Sequence, residues 1–167
     1  MTNAQLPKIG ELVAAKYRLV SKIGEGGYGL VFRAFHETMG RDVALKMLRP
    51  EANHNMEEVE RFRREVYYAS GLKHPNTITL YDYGQTNEGI LYIVMEYLQG
   101  LNLRQWLKRH GPMGQYDTMD MMEQMLRSLR EAHEQGIIHR DLKPENIFIQ
   151  EISSDEILMV NSSLEIS

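Results

Sequence analysis

The chain has 167 residues, 43% apolar and 25% charged, the make-up of one globular domain of ordinary size with enough apolar side chains to build a core. Its net charge is −4 and its lysines and arginines are interspersed with acids, so no basic stripe can follow a nucleic-acid backbone, and nucleic acid is not expected as a partner. The absence of cysteine excludes disulfides and thiolate metal sites, and no apolar stretch is long enough for a signal peptide or a membrane span, so a soluble, cytoplasmic protein is expected.

Residues 1–13 read as an N-terminal extension. Five short β-rich runs follow, "YRLVSKI", "LVFRAF", "RDVALKML", "NTITLYDY" and "GILYIVMEY", with turn signals such as "GEGGYG", "ETMG" and "QTNEG" between several of them. They predict an antiparallel sheet of five strands. One helix interrupts them: in "NMEEVERFRREVYYASG" the apolar Val59, Phe62, Val66 and Ala69 recur at steps of three and four. Glu57 and Glu58 suit its first turn, Glu57/Arg61 and Glu60/Arg64 are i,i+4 pairs, and Gly71 can end it.

Near Gly100 the pattern turns helical. "LRQWLKRH" predicts a short helix ended by "GPMG", and "DTMDMMEQMLRSLREAHEQG" a longer one with Met122, Met125, Leu129 and Ala132 on one face. Asp117 is the expected cap at its start and Gly136 the expected stop. Sheet first and helices second make the expected fold class α+β, with a change of lobe near residue 98.

Three constellations carry chemistry. Gly24, Gly26 and Gly29 in "IGEGGYGLVF" form a GxGxxG pattern, which on its own also serves ordinary turns. The β-branched and aromatic "LVFRAF" after Gly29 makes the loop close a hairpin, unlike a dinucleotide loop, which opens a helix. Lys46 lies in the apolar strand "VALKML", where a buried ammonium needs an anion unless it snorkels from an edge. Glu65, about 40° around the next helix from the apolar Ala69, is the expected anion. The most specific stretch is "HRDLKPEN": Asp141 can accept a hydroxyl proton, Lys143 can neutralise a phosphoryl oxygen, and Asn146 offers a neutral oxygen to Mg²⁺.

In these motifs the chain resembles the protein kinase family over about residues 14 to 150, and within it the serine/threonine kinases of the bacterial eukaryotic-like type. The resemblance implies ATP and Mg²⁺ as cofactors and a protein serine or threonine as substrate. It implies a kinase N-lobe at 14–98 and the start of a helical C-lobe at 99–150. By the same resemblance Gly24, Gly26 and Gly29 cover the phosphates, Ile23, Val31 and Ala44 lie above the adenine, and Lys46 holds the α and β phosphates while pairing with Glu65. Met95 takes the gatekeeper position, Glu96 to Leu98 the hinge, and Phe148 the floor under the adenine. Asp141 is then the catalytic base, Lys143 the γ-phosphate contact and Asn146 a metal ligand.

One departure qualifies this. The family carries an Asp-Phe-Gly motif a dozen or more residues after that Asn, its Asp being the principal Mg²⁺ contact, and the chain has none; Asp155 is followed by Glu-Ile-Leu. Residues 151–167 therefore read as a divergent tail, in which "VNSSLEIS" has neither that motif nor the apolar strand that leads into it. The sequence is expected to be a truncated or frameshifted kinase of low activity, with a non-catalytic nucleotide-binding or interaction module as the alternative. A helical lobe left incomplete is expected to self-associate through its exposed apolar stripe.

Overall fold

In the computed structural model the described residues are 6–25, 29–52, 55–153 and 156–161, side chains excepted at Glu65 and from 151 onward. The chain divides into two units, residues 1–66 with 80–97, and residues 67–79 with 98–167.

The first unit is a six-stranded antiparallel sheet with strand order β1-β2-β3-β4-β6-β5. Its strands are β1 (Leu12–Val13), β2 (Tyr17–Glu25), β3 (Gly29–His36), β4 (Arg41–Leu48), β5 (Leu80–Gln85) and β6 (Leu91–Glu96). The five expected runs are all present, and the addition is β1, whose two residues pair with Tyr17 and Arg18 and are too few to show a period in sequence.

Alternation along the strands splits the apolar side chains between the two faces. Leu30, Phe32 and Ala34 of β3, Val43, Leu45 and Met47 of β4, and Tyr92 and Val94 of β6 join Tyr17 and Leu19 in one core. On the other face Leu48 and Ile93 pack with Phe62 and Val66 of helix α1 (Met56–Gly71), with Val59 and Met95 alongside. The helix thus buries the stripe its spacing predicts. Glu60, however, meets Arg63 at i,i+3, 3.4 Å away, instead of Arg64. At the sheet's far end the Tyr17 hydroxyl donates to Asp82 Oδ2 at 2.7 Å, and burial followed by that carboxylate pushes the phenol well above its ordinary pKa.

The second unit contains helices α2 (Leu103–His110) and α3 (Gln115–Glu134), a 3-10 turn at Pro144–Asn146, and a three-stranded sheet of β7 (Leu101–Asn102), β8 (Ile147–Ser153) and β9 (Glu156–Asn161). A capping box starts α2: Gln105 N donates to Asn102 Oδ1 at 2.9 Å, and Asn102 N donates to Gln105 Oε1 at 3.1 Å. Three sequence expectations change here. Asp117 does not cap α3, which begins earlier, with Gly114 at the cap and Asp117 inside the first turn. Met122 is 40% exposed, while Met121, Met125 and Leu129 pack with Leu103, Ile147 and Ile149. Adjacent methionines in "MDMMEQM" leave the phase of the stripe open in sequence, and packing selects the Met121 phase. Finally, β9 is a strand where a divergent tail was expected. It pairs with β8 from Ile147↔Asn161 through Ser153↔Glu156, its run "ILMV" facing Phe148 to Glu151.

Segment 72–79, although it precedes β5 in sequence, is fastened inside the second unit. The amides of Lys73 and His74 donate to Glu131 at 3.2 and 2.8 Å, Asn76 Nδ2 donates to Gln124 Oε1 at 2.8 Å, and the buried Thr77 and Ser128 hydroxyls meet at 2.7 Å.

At Gly29 an added Cβ would sit 2.6 Å from the backbone oxygen of Met47, inside the β3–β4 ladder. Gly29→Ala is expected to force the strands apart and destabilise the first unit by about 1–3 kcal/mol. Differential scanning calorimetry checks it, and an unchanged melting temperature would show that the ladder yields there at no cost.

Candidate functional site

Each unit carries its own group of candidate residues. In the first, strand register brings the candidate nucleotide residues onto one face. Gly24 pairs with Val31, Val31 with Lys46, Lys46 with Ile93, and Ala44 with Met95. Paired residues in antiparallel strands share a face, so Val31, Ala44, Lys46 and Met95 lie together, on the α1 side of the sheet. Ala44 is buried, Val31, Lys46 and Met95 are half-buried, and Ile23 is 46% exposed at an irregularity in β2 between Lys22 and Gly24. Small and apolar side chains beside one ammonium suit an aromatic base next to a polyphosphate. Gly26 and the side chain of Glu65 lie outside the described residues, so the expected Lys46–Glu65 pair stays an expectation.

In the second unit the catalytic candidates converge on one loop. Lys143 Nζ lies 2.8 Å from Asp141 Oδ1 and 2.6 Å from Oδ2. Asn146 Nδ2 donates to Asp141 Oδ2 at 2.7 Å and to the Asp141 backbone oxygen at 2.8 Å. The 3-10 turn makes this possible, because Pro144 opens it and Asn146 N donates to Lys143 O at 2.9 Å, folding Asn146 back over Asp141. On the other side His139, buried to 5% exposure, accepts from Asp141 N at its own carbonyl, 2.7 Å away, and at Nδ1, 3.3 Å away. Arg140 between them adopts φ +55°, so its side chain and that of Asp141 leave a sharply turned backbone. The loop then enters β8, where Ile147 and Ile149 are buried and Phe148, half-buried, pairs with Asn102.

Partial burial pushes the Asp141 carboxyl up, but the bonds from Lys143 and Asn146 and the charges of Lys143 and His139 outweigh it, so the group stays below the usual aspartate range. Glu145, held by its own backbone N–H and by Arg104, is also lowered. His139 and the Arg104–Glu145 pair are the supports that motif reading passed over; "HRD" names the histidine without saying that it is buried.

For a metal the fit is incomplete. Asn146 can offer a neutral oxygen, but among the described residues no group of three or more histidine or acidic side chains could hold a cation. Mg²⁺ commonly takes one or two carboxylates with its remaining ligands from phosphate and water. The described residues do not make such a cage.

Comparison with known proteins gives the family. The Protein kinase domain matches residues 17–160. The chain belongs to the protein kinase family. The match runs past Gln150 and takes in most of β9. Among curated relatives, the serine/threonine-protein kinase pkn3 of Myxococcus xanthus is 44% identical over 142 residues, 85% of this chain and 26% of that protein. PrkC of Bacillus subtilis is 38% identical over 146 residues, 87% of this chain and 22% of that protein. PknA of Mycobacterium tuberculosis is 40% identical over 147 residues, 86% of this chain and 34% of that protein. The chain thus spans about a quarter to a third of the length of these kinases.

Two solved structures share the fold. The PknI kinase domain of Mycobacterium tuberculosis has a TM-score of 0.78 at 26% identity, covering 97% of this chain and 64% of that one. Rad53 1–466 in complex with AMP-PNP has a TM-score of 0.80 at 27% identity, covering 91% and 40%.

Lys143→Met is expected to raise the Asp141 titration midpoint toward its ordinary value near 3.9, read by carboxyl NMR. Because the folded pKa is depressed, this pairing stabilises the fold above the unfolded pKa, and the contribution fades as pH falls through the folded one. The variant's stability deficit, about 1 kcal/mol or less for so exposed a lysine, should therefore be largest near neutrality and vanish in acid. A deficit that grows in acid would overturn the assignment.

Proposed function

We propose that the protein binds ATP and belongs to a machinery that phosphorylates protein serine or threonine, Asp141 orienting the acceptor hydroxyl and taking its proton while Lys143 balances charge on the transferred phosphoryl. The observation that carries this is the Asp141–Lys143–Asn146 cluster, folded back on itself by one 3-10 turn within the stretch matched by the kinase family. Support for an adenine nucleotide comes from the ammonium of Lys46 sharing a sheet face with Val31, Ala44 and Met95, and from the AMP-PNP complex of the structurally similar Rad53 1–466. In this reading Gly24, Gly26 and Gly29 approach the phosphates, Ile23, Glu96, Leu98 and Phe148 surround the base, and Glu65 pairs with Lys46. Mg²⁺ accompanies the nucleotide, with Asn146 as its ligand from this chain.

Asp-Phe-Gly does not occur in the 167 residues. A second reading, nucleotide binding without transfer, is favoured for these residues acting alone. Lys46→Met should weaken ATP binding by about tenfold or more in isothermal titration, an ammonium–phosphate bond being worth about 1.5–3 kcal/mol. Alone, the 167-residue chain should transfer phosphate to a serine peptide no faster than its Asp141→Asn variant. Robust Mg²⁺-dependent transfer, abolished by that substitution, would overturn the second reading; absence of ATP binding would overturn the first as well.

For partners, we propose a protein substrate and self-association through α3. Met119, Met122 and Leu126, at 61, 40 and 58% exposure, line one side of it together with Asp120, Glu123, Arg127 and Arg130. Side chains of this size forgo roughly 1.5–3 kcal/mol each when left in water. Light scattering on the 167-residue chain should show species larger than a monomer, shifted toward the monomer by Met122→Lys. A monodisperse monomer would refute it.

A further inference from the structure

Glu25, the last residue of β2, sits between two cations. It accepts from Lys22, three residues back on its own strand, and from Arg49, which lies 24 positions away just past the end of β4. The side chains are 47% (Glu25), 47% (Lys22) and 35% (Arg49) exposed, and the two bonds hold the Glu25 carboxyl below its ordinary pKa. An isolated surface pair with these exposures would change little. Here one carboxylate joins two segments that share no backbone pairing among the described residues.

The sheet explains why the join matters. β3 is tied to β4 along its whole length, from Gly29↔Leu48 to His36↔Arg41. β2 is not: from Ser21 to Glu25 its only strand partner among the described residues is β3, and that ladder is broken by irregularities after Leu19 and after Lys22. This end of β2 is an edge, free to swing about β3 unless something else holds it. Lys22 pairs with Phe32 and Glu25 with Leu30, so both lie on the face opposite Val31 and Lys46. The join therefore fastens the strand from behind and leaves the Lys46 face open.

We infer that Glu25 is a positioning residue for the nucleotide's phosphates: by holding Arg49 it fixes the end of β2 to the chain leaving β4, and so sets the distance between the glycine-bearing rim at Gly24 and the ammonium of Lys46. Lys22 aims the carboxylate and does not itself bridge segments. The inference rests on the nucleotide reading above, and it predicts a signature specific to phosphate, since adenosine carries nothing for the rim to approach.

The test is isothermal titration of ATP and of adenosine into the 167-residue chain, wild type, Glu25→Gln, Arg49→Met and the double variant, with melting temperatures and amide exchange on each. ATP binding is expected to weaken about three- to tenfold in either single variant and no further in the double, with adenosine affinity unchanged and exchange faster at residues 21–25. Lys22→Met should have a smaller effect. Unchanged ATP affinity, equal losses for ATP and adenosine, additive single effects, or unchanged exchange at 21–25 would each overturn the inference while leaving the nucleotide reading intact. A wild-type chain that binds neither ligand would remove the nucleotide reading and this inference together.

Discussion

The first unit is organised by one requirement: β4 is packed on both faces and still carries a charge at the half-buried Lys46. Paired to β3 on one side and β6 on the other, it buries Val43, Leu45 and Met47 in one core and presents Ala44, Lys46 and Leu48 to the other face, where α1 packs. An ammonium in such a strand is costly unless anions meet it. The hairpin that brings glycines to its neighbouring strand, the small side chain at Ala44 and the placement of α1 on the same face all follow from how that strand is flanked.

The second unit solves a different problem, holding an acid, a base and an amide within hydrogen-bonding distance on a loop. It does so with short-range devices. A proline-led turn folds Asn146 onto Asp141, a buried histidine receives the Asp141 amide, and buried isoleucines at 147 and 149 anchor the exit strand. Among the described residues of this unit, Arg140 is the non-glycine residue held at positive φ. Gly100 performs a related service at the other end of the small sheet. At φ +133°, an added Cβ there would lie 2.5 Å from the Ile149 oxygen, so β7 can approach β8 only with no side chain at that point.

Much of this was legible in sequence where period and chemistry coincide. The strand runs, the α1 stripe and "HRDLKPEN" each combine a pattern with residue types that have few other uses. What escaped was information held in packing. Two neighbouring methionines fit a helix stripe in either phase, and only the cluster around Leu103 and Ile149 chooses Met121 over Met122. The strand at 156–161 was hidden because its apolar run has no alternation, as befits a strand whose pairing, and not its period, defines it. The Glu25–Arg49 link spans 24 positions, beyond any local rule for reading charge pairs.

The boundary between the units has a consequence for how the polypeptide can be divided. Segment 72–79 precedes β5 and β6 of the first unit, yet its amides and side chains are held by Gln124, Ser128 and Glu131 of α3. No single scissile position therefore yields two self-sufficient pieces. A fragment ending after β6 would carry that segment with every anchor amputated, including a buried threonine hydroxyl stripped of its mate, and a fragment starting there would keep the anchors with nothing to hold. In grafting or swapping experiments the two units behave as interleaved parts, exchangeable only when the 72–79 strip travels with α3.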